Sequence, residues 1–346
     1  MKDLKIGVIG LGIGRMHIQR YLTHPGAKVV AAADLNQDRV DLNAKEFGLT
    51  GYTDAEEMLA KEKLDIVSVC TPNKFHKDLT IKALQSGAHV LCEKPMAMNS
   101  DEAREMLLAA KTSGKRLGIN FSYRFSDQSW ALKSIVDEGI LGEIYYARTI
   151  WHRRRGMPGF GGWFGQKALS GGGPLIDLGV HRLDLALWLM GYPKPKWVMG
   201  SAYNPIATEL AARQGLTFDV EDMAAGMIKF ENGATLSVEA SWAANIKELE
   251  LMETRLLGTK AGLVQRNKDE GYNFEAELYM ERAGANYDMK LHPPVAAAKP
   301  AQWYFVDALL NDYPFIATGE QGLIVQELLD AIYTSSLTGE PVQIGA

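Results

Sequence analysis

The sequence predicts an α/β protein: a doubly wound, mostly parallel sheet first, then an α+β domain with a large, mainly antiparallel open sheet. Three observations lead there. From Leu4 to Phe121, short apolar runs alternate with helix-like runs, as in a parallel sheet with helices on both faces. The first apolar run ends in a glycine-rich turn, and the second ends at an acid, Asp34. From Trp197 onward, runs rich in β-formers follow one another closely, with Glu231-Asn232-Gly233 as a hairpin signal between two of them.

The chain has 346 residues, long for one core and natural for two domains. Domains are expected at 1–123 and 124–346, with the terminal helices free to pack back towards the first. Apolar residues make up 47% and charged residues 23%, as in an ordinary globular enzyme. The net charge is −5, and Arg153-Arg154-Arg155 is the one short cationic run; no nucleic-acid partner is expected. Lys2 and Lys5 stand at the start, but glycines interrupt the apolar run there, so neither a signal peptide nor a membrane span is predicted. Cys70 and Cys92 lie in apolar strand-like runs. Buried free thiols suit a reducing cytoplasm.

Taken in order, a strand over 4–9 runs into Gly10-Leu11-Gly12-Ile13-Gly14. A helix is expected over 16–24 and a second strand over 28–33, closed by Asp34. Strand, glycine turn, helix, strand and acid form the context of a dinucleotide-binding (Rossmann) fingerprint. Gly10, Gly12 and Gly14 permit a tight turn and close approach of a pyrophosphate, and with Ile13 they lead into a helix N-terminus that offers it N–H groups. Asp34 would accept bonds from the adenine ribose hydroxyls and repel a 2′-phosphate, which favours NAD. Arg39 nearby keeps NADP as the alternative. The glycines run GxGxG, one residue tighter than GxGxxG, and a purely structural turn is the competing reading.

Helices are expected over 41–47, 53–62, 75–86 and 101–112, the last capped by Ser100, and strands over 64–70, 89–92 and 116–121. Ligands of such sheets sit beyond the carboxyl ends of the strands, where Thr71, Pro72, Asn73, Glu93, Lys94 and Arg124 fall. Lys94 could donate to a substrate hydroxyl, or pair with Glu93 or Asp101 on the surface. His76 suits local packing as well as a functional role, and His89 reads as structural.

In the second half, a helix over 127–137 and a strand over 143–151 lead to a glycine-rich loop from His152 to Phe164. Its cationic and aromatic groups suit hydroxyl recognition and ring stacking, or an oligomer contact. Pro174–Met190 reads as a helix that is apolar nearly all round, hence buried on most sides. Asp177 and His181 lie four apart on one face, with Asp184 continuing the stripe. A carboxylate beside an imidazole in such surroundings reads as a general base with its orienting neighbour; a purely structural stripe is the alternative. Strands are expected over 197–203, 224–230, 235–242, 247–256, 261–265, 271–279 and 287–291, and terminal helices over 302–311 and 320–336. No metal site is expected, because Asp177 and His181 alone leave zinc short of ligands.

Several motifs now stand in order: the fingerprint at 7–17, Thr71-Pro72-Asn73 with His76, Glu93-Lys94-Pro95, the run Gly172–Asp184, and the ending from Gly319-Glu320 through Gly339-Glu340-Pro341-Val342. On them the chain resembles the glucose–fructose oxidoreductase and inositol dehydrogenase family of NAD(P)-dependent sugar oxidoreductases over essentially its whole length. The shortened glycine run, and Pro174 where alanine is common, are its departures.

The resemblance implies a catalytic group of Lys94, Asp177 and His181. His181 would take the hydroxyl proton, Lys94 would hold and polarise that hydroxyl, and Asp177 would orient substrate and catalytic groups. It adds Thr71, Pro72, Asn73, His76, Glu93 and Lys94 to the cofactor-binding residues. The substrate would be a sugar, inositol or sugar derivative with a secondary hydroxyl or ketone, met by Asp177 and His181; Arg124, His152, Arg153 and Trp163 are this sequence's own candidates for the rest of the substrate wall. It further implies a homodimer or homotetramer built through the open face of the C-terminal sheet. Two other activities stay open: redox-assisted glycoside hydrolysis with retained NAD, and a non-catalytic NAD-binding regulatory relative, which would be expected to lose Lys94 or His181.

Overall fold

A six-stranded parallel sheet organises the first part of the chain in the computed structural model, which describes residues 3–292 and 298–345. Its elements are β1 (Leu4–Ile9), α1 (Gly14–Tyr21), β2 (Ala27–Ala33), α2 (Gln37–Phe47), β3 (Thr50–Tyr52), α3 (Ala55–Lys61), β4 (Ile66–Val69), α4 (His76–Gln85), β5 (His89–Cys92), α5 (Ser100–Ser113) and β6 (Leu117–Ile119). The strand order is β3-β2-β1-β4-β5-β6. It reverses direction between β1 and β4, and ligands of such sheets bind beside that reversal.

Several boundaries differ from expectation for local reasons. Helix α1 begins at Gly14 and ends at Tyr21 rather than spanning 16–24. Helix α2 starts four residues before Asp41, because the Asn36 side chain accepts the Arg39 N–H and caps it there. Asn99, not Ser100, caps α5, accepting the Glu102 N–H at 2.9 Å. A one-turn 3₁₀ segment, Asn73–Phe75, precedes α4. The three-residue β3 was not foreseen; it is too short to show a period.

The second part continues with α6 (Asp127–Asp137), β7 (Ile144–Arg153), α7 (Lys167–Ser170), α8 (Val180–Met190), β8 (Pro195–Tyr203), α9 (Pro205–Ala212) and β9 (Met223–Phe230). Then come β10 (Thr235–Ser241), β11 (Glu250–Gly258), β12 (Ala261–Lys268), β13 (Asn273–Arg282), β14 (Ala285–Leu291), α10 (Ala301–Leu310), α11 (Gly319–Thr338) and β15 (Val342–Gln343). Nine strands pair in the order β14-β13-β12-β11-β7-β10-β9-β8-β15. Only β7 and β10 run parallel; the other pairs are antiparallel. Helix α9, opened by Pro205, was not foreseen.

The chain divides into two units: residues 1–121 with 299–326, and residues 122–298 with 327–346. Helix α10 therefore belongs to the first unit, where the ring of His24 lies 4.7 Å from that of Trp303. Ile119 donates its N–H to the Ala317 carbonyl at 2.9 Å, so the returning chain completes the edge of β6. In the second unit, one face of the large sheet packs against α8, with Trp151, Leu178, Ala240, Trp242 and Met252 in one core. Among the described residues, no helix is long and apolar enough to cross a membrane.

Candidate active site

In the first unit, each glycine of the turn has its own steric reason. Gly10 has φ +90°, and a Cβ there would meet the Cys70 carbonyl oxygen at 2.5 Å. A Cβ on Gly14 would strike Val8 at 2.8 Å, so α1 packs closely on β1 and β4. Around Gly12 nothing lies within 4 Å of an added Cβ. That open backbone, leading from Ile13 into α1 with no side-chain cap, fits a pyrophosphate. Asp34 follows β2, its Oδ2 accepting the Leu11 N–H at 2.6 Å and its Oδ1 the Asn36 N–H at 2.9 Å. Arg39 lies 3.8 Å from Asp34. The residues present therefore fit a dinucleotide.

The strand-end loops are tied together from inside. His76 is fully buried, and its two ring nitrogens lie 2.8 Å from the Pro95 and Thr71 carbonyl oxygens. Burial lowers its pKa. The packing reading of His76 is thus the one its geometry supports: it joins the loop of Thr71, Pro72 and Asn73 to that of Lys94-Pro95. Glu93 likewise turns inward. Its carboxylate accepts from His17 at 2.7 Å, Asn120 at 2.5 Å and the Lys94 backbone N–H at 3.2 Å. Burial opposes its charge, but these donors, His17 first, and the nearby charge of Lys94 pull its pKa down to about 2.

In the second unit, the helix expected over 174–190 is not uniform. Leu175–Gly179 forms a wide π turn, and the α-helix begins only at Val180. Such turns occur disproportionately at functional sites. Between Gly172 and Leu189 every residue is buried except Asp177 and His181. Close packing sets the turn: a Cβ on Gly179 would meet Ala240 at 3.2 Å, and one on Gly173 would meet the Glu221 carbonyl at 2.1 Å. The buried Glu221 carboxylate accepts the Gly173 N–H at 2.8 Å, the Leu175 N–H at 3.1 Å and the Tyr333 hydroxyl at 2.7 Å. A carboxylate at a helix N-terminus also meets the positive end of the helix dipole.

Asp177 Oδ2 accepts the indole N–H of the fully buried Trp242 at 3.2 Å. The His181 ring lies 5.0 Å from that of Tyr123 and 5.8 Å from that of Trp151. Beside them, Arg153 and Trp151 each donate to Glu250 at 2.7 Å, and Arg153 donates to the Tyr272 hydroxyl at 2.7 Å. Beneath, Arg182 is fully buried among the rings of Phe274 at 4.7 Å, Tyr123 at 4.9 Å and Trp151 at 5.8 Å. It donates to the Gln265 side-chain oxygen at 2.9 Å, and burial lowers its pKa to about 10. Trp242, Glu221, Glu250, Tyr272 and Arg182 were missed, because each acts through a partner distant in sequence.

Of the expected substrate wall, Arg153 stands in this group. Trp163 stacks on Phe164 at 3.8 Å, and Phe164 in turn lies 6.4 Å from Trp242. Two residues are corrected. Arg124 is fully buried and bonds Asp184 at 2.9 and 2.5 Å, with Tyr192 completing the cluster. Asp184 therefore belongs to that structural pair and not to the stripe of Asp177 and His181. His152 alternates with Trp151 along β7 and faces the other side of the sheet, 3.6 Å from Glu239. Burial lowers its pKa, and Arg148 adds to the fall against Glu239.

With that geometry in hand, comparison with known proteins is direct. The family model described as "Oxidoreductase family, NAD-binding Rossmann fold" matches residues 4–121. The one described as "GFO/IDH/MocA C-terminal domain" matches residues 130–264. D-Glucoside 3-dehydrogenase of Escherichia coli (strain K12) is 36% identical over 351 residues, covering 99% of this chain and 97% of that protein. 1,5-Anhydro-D-fructose reductase of Ensifer adhaerens is 29% identical over 348 residues, covering 98% of each. Levoglucosan dehydrogenase, solved in complex with NADH and levoglucosan, shares the fold at a TM-score of 0.87 and 23% identity over the whole of both chains. The chain belongs to the glucose–fructose oxidoreductase and inositol dehydrogenase family of NAD(P)-dependent sugar oxidoreductases.

Proposed function

We propose that this protein oxidises a ring secondary hydroxyl of a pyranose or pyranoside with NAD, or runs the reverse reduction. One observation carries the reading: along the buried stretch 172–189, Asp177 and His181 alone reach the surface, beside rings suited to a sugar's apolar face. The likeness to a D-glucoside 3-dehydrogenase supports a glucoside-type substrate.

The roles follow from chemistry. When bound, the nicotinamide supplies the acceptor or donor of the hydride. His181 takes the hydroxyl proton, since an imidazole exchanges protons near neutral pH. Lys94 donates to the same oxygen and stabilises its developing negative charge. Asp177, held by Trp242, orients the reacting hydroxyl. Asp34 favours NAD, because its carboxylate would stand against a 2′-phosphate. The open face of the nine-stranded sheet carries exposed Met199, Tyr203 and Met227; a second copy covering it would give a homodimer or homotetramer. Buried free Cys70 and Cys92 suit the cytoplasm.

Purified protein with NAD is tested against inositols, free sugars, sugar acids and glycosides, reading NADH absorbance and product mass. A ketone product lighter by two hydrogens, formed with NADH, is expected from a pyranoside. Glycoside cleavage without net NADH would move the assignment to redox-assisted hydrolysis, and silence across the panel to a non-catalytic relative. His181→Ala is expected to keep NADH binding, read by fluorescence, while turnover falls by ~10²–10⁴-fold. Wild-type turnover in that variant removes His181 from the base role.

A further inference from the structure

Inside the first unit, five polar side chains form one continuous buried chain. Tyr21 and Ser68 hydroxyls lie 2.8 Å apart, Ser68 is 3.1 Å from His17 Nδ1, and His17 Nε2 is 2.7 Å from Glu93 Oε1. Asn120 donates to the same Glu93 oxygen at 2.5 Å. Tyr21, Ser68 and His17 are fully buried, and Asn120 and Glu93 nearly so. A carboxylate in such a place is costly unless donors surround it. Ionised Glu93 can only accept. A proton on His17 Nε2 therefore faces it, and Nδ1 accepts from the Ser68 hydroxyl, which accepts from Tyr21 in turn. One tautomer satisfies Tyr21, Ser68, His17 and Glu93 together.

The end points of this chain give it a use. His17 belongs to α1, directly after the glycine turn, whereas the second oxygen of Glu93 accepts the backbone N–H of Lys94 at 3.2 Å. One carboxylate thus ties the helix that meets the dinucleotide to the peptide that carries Lys94. We propose that His17 is a positioning residue for the reaction, fixing Lys94 through Glu93 in the same frame as the bound dinucleotide. This rests on the reading of Lys94 as a catalytic residue.

A pair of backgrounds tests it. His17→Leu removes the donor and is expected to lower kcat by about 10- to 100-fold, the scale of a small misplacement of a reacting group. His17→Gln restores a donor and should recover most of that loss. In Lys94→Ala protein, whose residual rate is the reference, His17→Leu should cost less than about twofold further, because coupled sites are not additive. NADH affinity, read by fluorescence titration, should stay within about twofold of wild type in both backgrounds. Equal losses in both backgrounds, no recovery with glutamine, or an unchanged kcat in His17→Leu would overturn the proposal. Full turnover in Lys94→Ala alone would instead sink the reading of Lys94, and the proposal with it. If His17→Leu does not fold, Ser68→Ala loosens His17 from its far side and should show the same background dependence in smaller measure; equal cost in both backgrounds again overturns it.

Discussion

Asp34 ends its strand with both carboxylate oxygens already held, by the N–H groups of Leu11 and Asn36. Its charge is therefore fixed in place before any ligand arrives, and a second negative charge set against it costs several kcal/mol. Asp34→Ala is expected to narrow the gap between the dissociation constants of NADP and NAD by at least about tenfold. Titration of both cofactors checks this, and an unchanged ratio refutes the assignment. The place of Asp34 at the end of its strand was legible at this scale, because a short apolar run after a glycine turn and a helix stops at an acid. Arg124 and His152 were not. Which partner neutralises a guanidinium depends on Asp184, 60 residues away, and a residue's face on a strand depends on where that strand's alternation starts. The sequence shows neither.

At the scale of elements, the wide turn Leu175–Gly179 is the main departure from a regular pattern. The apolar run marked a buried helix correctly, yet hydrophobic periodicity cannot register one added residue per turn. What holds that turn is also remote in sequence: Glu221 and Tyr333 meet its first N–H groups. Glu221→Ala leaves Gly173, Leu175 and Tyr333 without their acceptor. Urea unfolding should show a loss of about 2–4 kcal/mol, typical of stranding buried donors of a charged group. Turnover should fall more than KM rises, since Asp177 and His181 sit on or just past this turn. Unchanged stability and kcat would contradict the clamp. Strand existence, by contrast, was read well in the second unit from β7 to β14, because alternation and turn residues are local signals; the two-residue β15 is too short to give them. The helix capped by Asn36 starts four residues earlier than expected and the one capped by Asn99 a single residue earlier, because several polar side chains nearby could each have served as the cap.

For the molecule as a whole, two domains of the expected classes are present, and the open face of the large sheet is the feature that most needs a partner. Met227 and Met199 pair across β8 and β9 on that face and are both more than a third exposed. If identical copies meet there, Met227→Glu places like charges across a symmetric contact and should yield monomers by light scattering, with stability to urea within ~0.5 kcal/mol per chain. A variant that keeps the wild-type mass would move the interface elsewhere.

The division of the chain has a temporal side. Ile119 waits for Ala317 to pair its N–H, Gly118 bridges Thr318, and Arg116 donates to the carbonyls of Ala308 and Tyr313. During synthesis, residues 1–121 leave the ribosome with that edge open, and residues 122–298, about half of the whole protein, are made next, before the segment that closes it. Domains generally fold as they are made, from the N-terminus, but here the nascent first domain must carry an unpaired strand edge until translation is nearly over. Such an edge is a template for wrong pairing, so slow translation or a stalled ribosome exposes this protein to aggregation through its earliest-made part.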